Sequence, residues 1–266
     1  MSEQGYRWDA EEYTRNSGAQ FQWAQELIGK LKLHGDERIL DVGCGDGKVT
    51  AELARRAPRG GVVDVDSSDD MVKKARAVFP ASSNPGLAFL QMDARELSFP
   101  APFDIVFSNA ALHWVKDHSS MLCGVARCLK PGGKLLCQMG GKGNGEEVFS
   151  VATDIIRRDP WKQYFRGFEF PWGFYGPQEY AGWLARAGLS ALRIELIPRD
   201  MKQDGREGFL GWVRTTWMPF TERLPADKRD LFLAEAADKY LAVHQLTAQG
   251  EVVVRMVRLE VEAVKK

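Results

Sequence analysis

The chain has no excess of charge of either sign: its 266 residues hold 36 Lys+Arg against 36 Asp+Glu. Without a global positive field there is nothing to recruit nucleic acid or an anionic membrane surface. No apolar run reaches the roughly 18 residues that would cross a bilayer. The first residues, Met1-Ser-Glu-Gln-Gly-Tyr-Arg-Trp8, are acidic and polar where a secretory leader is basic and then apolar. A cytoplasmic protein with neither a nucleic-acid nor a membrane partner is expected. Cysteine is scarce, and Cys44, Cys123, Cys128 and Cys137 form no CxxC pair and have no histidine-rich company. Small buried thiols are expected, with no metal site and no disulfide.

The most informative stretch is Ile39-Leu-Asp41-Val-Gly43-Cys-Gly45-Asp-Gly47-Lys-Val-Thr50, in which a short apolar run meets a glycine turn and then a helical pattern. Glycines at alternate positions let a ligand approach the backbone and allow positive φ. A strand-to-helix turn without a ligand has the same local pattern. A dinucleotide site wants Gly-x-Gly-x-x-Gly, but here the order is Gly-x-Gly-x-Gly, with Lys48 after it. Asp41 would repel a pyrophosphate and suits a ligand carrying an ammonium and a sulfonium, which points to S-adenosylmethionine. A second strand, Val62 to Asp66, ends in acid. Asp66 lies nineteen positions after Gly47, near the spacing at which doubly wound folds bind a ribose. Asp64 competes for that role, but the strand tip favours Asp66. Ser67 is read as the cap of the next helix, whose apolar members are Met71, Val72, Ala75 and Val78, and it stands with the cofactor residues.

Further strands are expected at Ala88 to Gln91, Phe103 to Asn109, Lys134 to Met139, Leu192 to Ile197 and Val252 to Val264. The Lys130-Pro-Gly-Gly133 turn leads into one of them. Helices alternate with the early strands, so the fold class is α/β: a doubly wound, mostly parallel, seven-stranded, Rossmann-like sheet with a helical cap. Residues 1–35 make a helical cap segment, with an apolar face of Phe21, Ala24, Leu27, Ile28 and Leu31 in a helix over 6–33. Residues 36–140 make the cofactor core, and 141–266 complete the sheet and cap the substrate. Eight aromatics between Trp161 and Tyr175 either pack that cap or line an apolar pocket. Arg157, Arg158, Lys162, Arg166 and Arg214 could draw in an anion, although a solvated helix face explains most of them better.

Residues 36–140 resemble the class I S-adenosylmethionine-dependent methyltransferases, whose motifs match in order at Asp41 to Gly47, at Asp66 with Met71, at Asp93-Ala94 and at Leu129 to Gly133. The resemblance implies backbone contacts to the methionine end at Gly43 and at the Asn109 carbonyl, a ribose contact at Asp66 and an adenine contact at Asp93. Gly45 and Gly47 complete the cradle. A narrower resemblance runs through Tyr13-x-x-Asn-Ser-x-x-Gln20, His113-Trp114-Val115, Gly211-Trp-Val213, Pro219-Phe220 and Asp230-x-Phe-Leu233. These look like the trans-aconitate and juvenile hormone acid methyltransferases, which methylate small-molecule carboxylates. The comparison implies that Gln20 and Trp114 hold the acceptor carboxylate, with His113 beside them. Met218 stands where the aconitate enzymes usually carry arginine, so the resemblance implies a small acid and stops short of a tricarboxylate.

Several alternatives remain open at this stage. Gln20 three positions after Ser17 also matches a helix capping box, Trp114 could be a core aromatic, and His113 could be a satisfied structural histidine. Transfer to nitrogen or carbon would make His113 a base. A noncatalytic S-adenosylmethionine-binding protein and, more distantly, a nicotinamide dehydrogenase share the cradle. Both a monomer and a homodimer fit the composition.

Overall fold

A computed structural model describes the backbone from residue 18 and the side chains from residue 21, through residue 266. Helix α1 (Gly18–Gly29) leads to β1 (Arg38–Val42), then α2 (Lys48–Arg56), β2 (Gly61–Asp66), α3 (Asp69–Val78), β3 (Leu87–Gln91) and β4 (Phe103–Asn109). Next come α4 (His118–Cys128), β5 (Leu129–Gly140), α5 (Glu146–Ile156), α6 (Pro177–Arg186) and β6 (Leu189–Asp204). The last elements are α7 (Gly205–Thr216), the short α8 (Met218–Thr221), α9 (Ala226–Val243) and β7 (Glu251–Lys265). The strands form one sheet in the order β3-β2-β1-β4-β5-β7-β6, parallel except for β7, which runs antiparallel to both β5 and β6. The chain reverses its progress across the sheet between β1 and β4, and in doubly wound folds ligands bind at such a switch point.

Strands covered on both faces read as continuous apolar runs, and β1 and β4 do so apart from Arg38, Asp41, Asp104, Ser108 and Asn109. One face packs Leu27 and Ile28 of α1 with Leu53, Val72 and Ala75 of α2 and α3. The other carries Met121, Leu122 and Val125 of α4 with Tyr180 and Leu184 of α6. A third core belongs to the cap. The long β6–β7 ribbon extends to Asp204 and Glu251, past the parallel strands, and its Met201, Val252, Val254 and Met256 pack with α5, α7 and α9 around Trp217. Trp161, Phe165 and Trp172 are buried in this cap core, so most of the aromatic stretch packs rather than lines. No described helix is long and apolar enough to cross a membrane. The four cysteines are free, and Cys44, Cys128 and Cys137 are buried.

Several boundaries differ from the sequence expectation. The described part of the first helix ends at Gly29, not 33, although one further turn is closed by the Leu31 amide on the Ile28 carbonyl. The cap of α3 is Ser68, not Ser67, because the Ser68 hydroxyl accepts from the Met71 amide while Ser67 is exposed. Val78, counted as apolar face, is also exposed. Strand β6 runs sixteen residues, since pairing with β7 continues beyond the part that the apolar pattern marks. Ser17 of the capping box lies outside the described residues.

The segment after β4 is pinned by a buried histidine. His118 donates from Nε2 to the Leu112 carbonyl at 2.9 Å and accepts at Nδ1 from the Tyr180 hydroxyl, tying the turn that bears His113 and Trp114 to α4 and α6. Burial holds its imidazole down at about 4, against 6.5 in water, despite opposing hydrogen bonds. Because the folded value is depressed, the stabilisation is present above pH 6.5 and is lost as pH falls through 4. We expect that acidification to remove up to about 3 kcal/mol at this residue. Denaturant melts of His118→Gln should then show a shallower loss of stability than the parent over the same range.

Candidate active site

The glycine turn is built by contact with the far side of the switch point. Gly43, Gly45 and Gly47 all have positive φ, at 91°, 55° and 83°. A Cβ on Gly43 would lie 2.2 Å from the Cβ of Ala111, so glycine is the only residue that lets the β1 loop touch the β4 loop. Ala110, just before it, is the one described non-glycine residue with positive φ, at 56°, and such strain gathers at functional sites. Gly47 serves packing: a side chain there would press on Ala75, Phe79 and Phe89.

Three carboxyl groups line the same face of β1 and β2 at the cradle. Asp41 and Asp64 are cross-strand neighbours in the parallel ladder. Asp41 is buried, accepts from the Thr50 hydroxyl at 2.8 Å, and is pushed up to about 7 by burial, with the Asp66 charge adding to the shift. Asp64 is wholly buried, and neither carboxyl oxygen is reached by a hydrogen bond of normal geometry. Burial, then the Asp41 charge, pushes it well above the usual carboxylate range, while the Cys44 thiol and Val65 amide oppose this. Asp66, at the strand tip, accepts from the Gly45 amide at 3.2 Å and the Ser68 amide at 2.9 Å. These features fit S-adenosylmethionine. The loop admits a ligand chain against bare backbone, and an oriented carboxylate stands where a ribose is held in such folds. The cluster is negative or protonatable where the ligand is cationic.

The other expected cofactor residues surround the same end of the sheet. Met71 is buried at the start of α3, and the Ser67 carbonyl accepts from Gln91. Asp93 accepts from the Arg95 amide at 2.8 Å and pairs with the Arg95 guanidinium at 2.6 Å, which holds its carboxyl below the usual range. Ala94 opens the 3₁₀ turn that Asp93 caps, and Asn109 ends β4 opposite Gln138.

On the β5 side stand the expected acceptor residues. His113 and Trp114 share a 3₁₀ turn, with ring centroids 5.8 Å apart. His113 Nδ1 faces the Gly140 amide at 3.4 Å, which leaves Nε2 as the protonated nitrogen of the neutral ring. Burial, with a contribution from the Arg258 charge, holds this imidazole down at about 3. Trp114 packs on Trp172 at 5.3 Å and His113 on Phe174 at 5.9 Å. Phe174 also lines a cavity of about 320 Å³ with Phe149, Phe170, Lys142, Asn144 and Glu146. Gln20 belongs to α1, one turn before Trp23, and its side chain lies outside the described residues.

Of the five cations noted in the sequence, Arg158, Lys162 and Arg214 pair at the surface with Asp154, Asp159 and Asp230. The cation whose charge the histidine registers is Arg258 of β7. It was missed because one arginine in an alternating strand gives no sign of what faces it.

Residues 40–137 match the family model described as a methyltransferase domain. A trans-aconitate 2-methyltransferase of Rhodopseudomonas palustris is 30% identical over 97% of this chain and 99% of its own length. A methyltransferase of Schizosaccharomyces pombe is 33% identical over 82% of this chain and 83% of its own. Among solved structures, a Haemonchus contortus phosphoethanolamine N-methyltransferase in complex with S-adenosyl-L-methionine superposes with a TM-score of 0.61 at 20% identity, covering 96% of this chain and 56% of that one. At that identity the likeness is one of fold.

The acidic cluster should make the free protein sensitive to alkali. A carboxyl group whose folded value is raised contributes stability that is present below its unfolded value, 3.8, and is lost as pH rises through the folded one, about 7 for Asp41. Asp64→Asn cannot ionise and removes a neighbour of Asp41. Its melting temperature should therefore gain on the parent as pH rises from about 5 to 8. A gain independent of pH in thermal melts would show that Asp64 is not the titrating group.

Proposed function

We propose that this chain, which belongs to the S-adenosylmethionine-dependent methyltransferases, transfers the methyl group to a carboxylate oxygen of a small-molecule acid. When bound, S-adenosylmethionine supplies a methyl group on a sulfonium, which a carboxylate oxygen displaces in line to leave an ester and a neutral thioether.

The observation that carries the reading is the state of His113. A carboxylate is already ionised at neutral pH, so its methylation needs no general base. An imidazole held down at about 3 is a poor base, and with Nδ1 turned to the Gly140 amide it offers an Nε2 proton instead. A nitrogen or carbon acceptor that must lose a proton finds no partner in such a ring. The bacterial relative's name, trans-aconitate 2-methyltransferase, supports an acid acceptor as well.

The chain's own work is then to bind, orient and dry the acceptor. Gly43 and Gly45 receive the methionine end of the cofactor with Asp41 beneath and the Asn109 carbonyl opposite. Asp66, beside Ser67 and Met71, takes the ribose, and Asp93 with Ala94 takes the adenine. Trp114 donates its indole hydrogen and Gln20 its amide hydrogens to the reacting carboxylate, fixing which lone pair faces the methyl group. The Trp172, Phe174 and Phe149 walls keep water from the nucleophile. Holding reactants in line in a dry site accounts for many orders of magnitude in rate.

A panel of carboxylic acids with methyl-labelled cofactor tests the acceptor class. Gln20→Ala and Trp114→Phe should each lower turnover by roughly ten- to a hundredfold while cofactor affinity, measured by calorimetry, stays close to that of the parent. Full turnover in Gln20→Ala would reduce that residue to a helix cap. Between about pH 6 and 9 kcat should be flat; a rising limb that His113→Ala removes would instead favour a base mechanism.

A further inference from the structure

The cavity that Phe174 lines with Phe149 and Phe170 starts beside His113, on whose ring Phe174 packs. Gly140 is the junction between them. Its amide faces His113 Nδ1 at 3.4 Å, and a Cβ on it would lie 2.7 Å from Phe174 Cε1 and 2.9 Å from Asn144 Nδ2. One bare stretch of backbone thus adjoins the imidazole, a ring of the cavity wall and an amide side chain that lines the same cavity. Asn144 is 5% exposed. Its Oδ1 accepts from the Val257 amide at 3.1 Å, and this fixes which way the side chain points, since only the oxygen can meet an N–H. The Nδ2 hydrogens then meet no acceptor among the described residues. A donor held in apolar surroundings without a partner is costly, and a ligand oxygen removes that cost. Lys142 and Glu146, both exposed, bring one charge of each sign to the same cavity.

We propose that Asn144 is a specificity-determining residue: the cavity takes the body of the acceptor, an aromatic ring, and Asn144 Nδ2 donates to an uncharged oxygen at its far end. The inference rests on the carboxylate reading above and concerns the part of the acceptor that does not react. A void of about 150 Å³ takes up a benzene ring, and this cavity, at about 320 Å³, has room for a ring with a substituent. Phe149 and Phe170 meet edge to face at 88°, so an incoming ring finds both a face and an edge to pack on. The far oxygen is uncharged because an anion there would be drawn by Lys142 and repelled by Glu146, and a cation the reverse. A neutral oxygen needs neither, and the donor best placed for it is the one already short of a partner.

The test offers the parent 4-methoxy-, 4-ethyl- and 4-aminocinnamate, the matching benzoates, which are shorter by a vinyl group, and crotonate and fumarate, which have no ring. Methylation of none of these acids, with cofactor binding intact, would sink the carboxylate reading and this inference with it. Turnover of crotonate or fumarate but of no ring-bearing acid would overturn this inference and leave the carboxylate reading standing. Methoxy and ethyl groups have nearly the same shape, and only the first carries an oxygen. In the better of the two series the parent should prefer the methoxy acid to the ethyl acid by roughly tenfold in kcat/KM, mainly through KM. Equal rates overturn the proposal, and this comparison needs no variant. Asn144→Asp keeps the oxygen that accepts from Val257 and exchanges the donor for a second acceptor. It should bring the methoxy and ethyl acids to within about twofold of each other and raise the amino acid's kcat/KM relative to the methoxy acid's by at least about tenfold. Ratios unchanged from the parent would reduce Asn144 to a clasp on β7.

Discussion

The active end of this molecule depends on one steric constraint, the contact between Gly43 and Ala111. Strands β1 and β4 are neighbours in the sheet although sixty residues of chain separate them, and their loops diverge at the switch point. The loops can meet only because position 43 has no side chain, since a Cβ there would overlap the Ala111 Cβ. That approach sets the depth of the glycine cradle and aims the strained Ala110 turn. It also sends the chain into the short turn that presents His113 and Trp114 next to the cradle, where His118 then holds it.

Charge differs between the two sides of the switch point. Beneath the cradle, Asp41, Asp64 and Asp66 are all pushed toward protonation by burial, and a cationic cofactor laid over them relieves that cost. The side bounded by β5 and β7 carries a buried cation, Arg258, with a histidine that stays neutral beside it.

The cap follows from the length of β6 and β7. Their ribbon outruns the parallel strands and gives α5, α7 and α9 an apolar surface to pack on, with Trp217 and Phe220 at its centre. Aromatics at this density bury large areas and leave few ways to rearrange, so the rings beside His113 and Trp114 are held by a core of their own. The cavity beside Phe170 and Phe174 is what that packing leaves unfilled.

By itself the sequence determined the features whose physics is local: the glycine turn, the acid at the tip of β2, the order of strands and helices up to Gly140, and the Lys-Pro-Gly-Gly turn. Each depends on backbone preference or on apolar periodicity within a few neighbours, and the sheet of seven strands follows from them. Some local readings slipped by one position, as with Ser68 in place of Ser67 as the α3 cap, because either hydroxyl can cap and only the path of the chain selects one. Tertiary structure alone decided what depends on partners far along the chain. It buried Asp64 beside Asp41 in the ladder with no hydrogen bond of normal geometry, although in sequence it rivals Asp66. It also set Arg258 of the final strand opposite Gly140, within reach of the His113 imidazole's electrostatics, through the antiparallel insertion of β7 beside β5. Electrostatic neighbours are set by sheet register, and register between distant strands is a property of the whole fold.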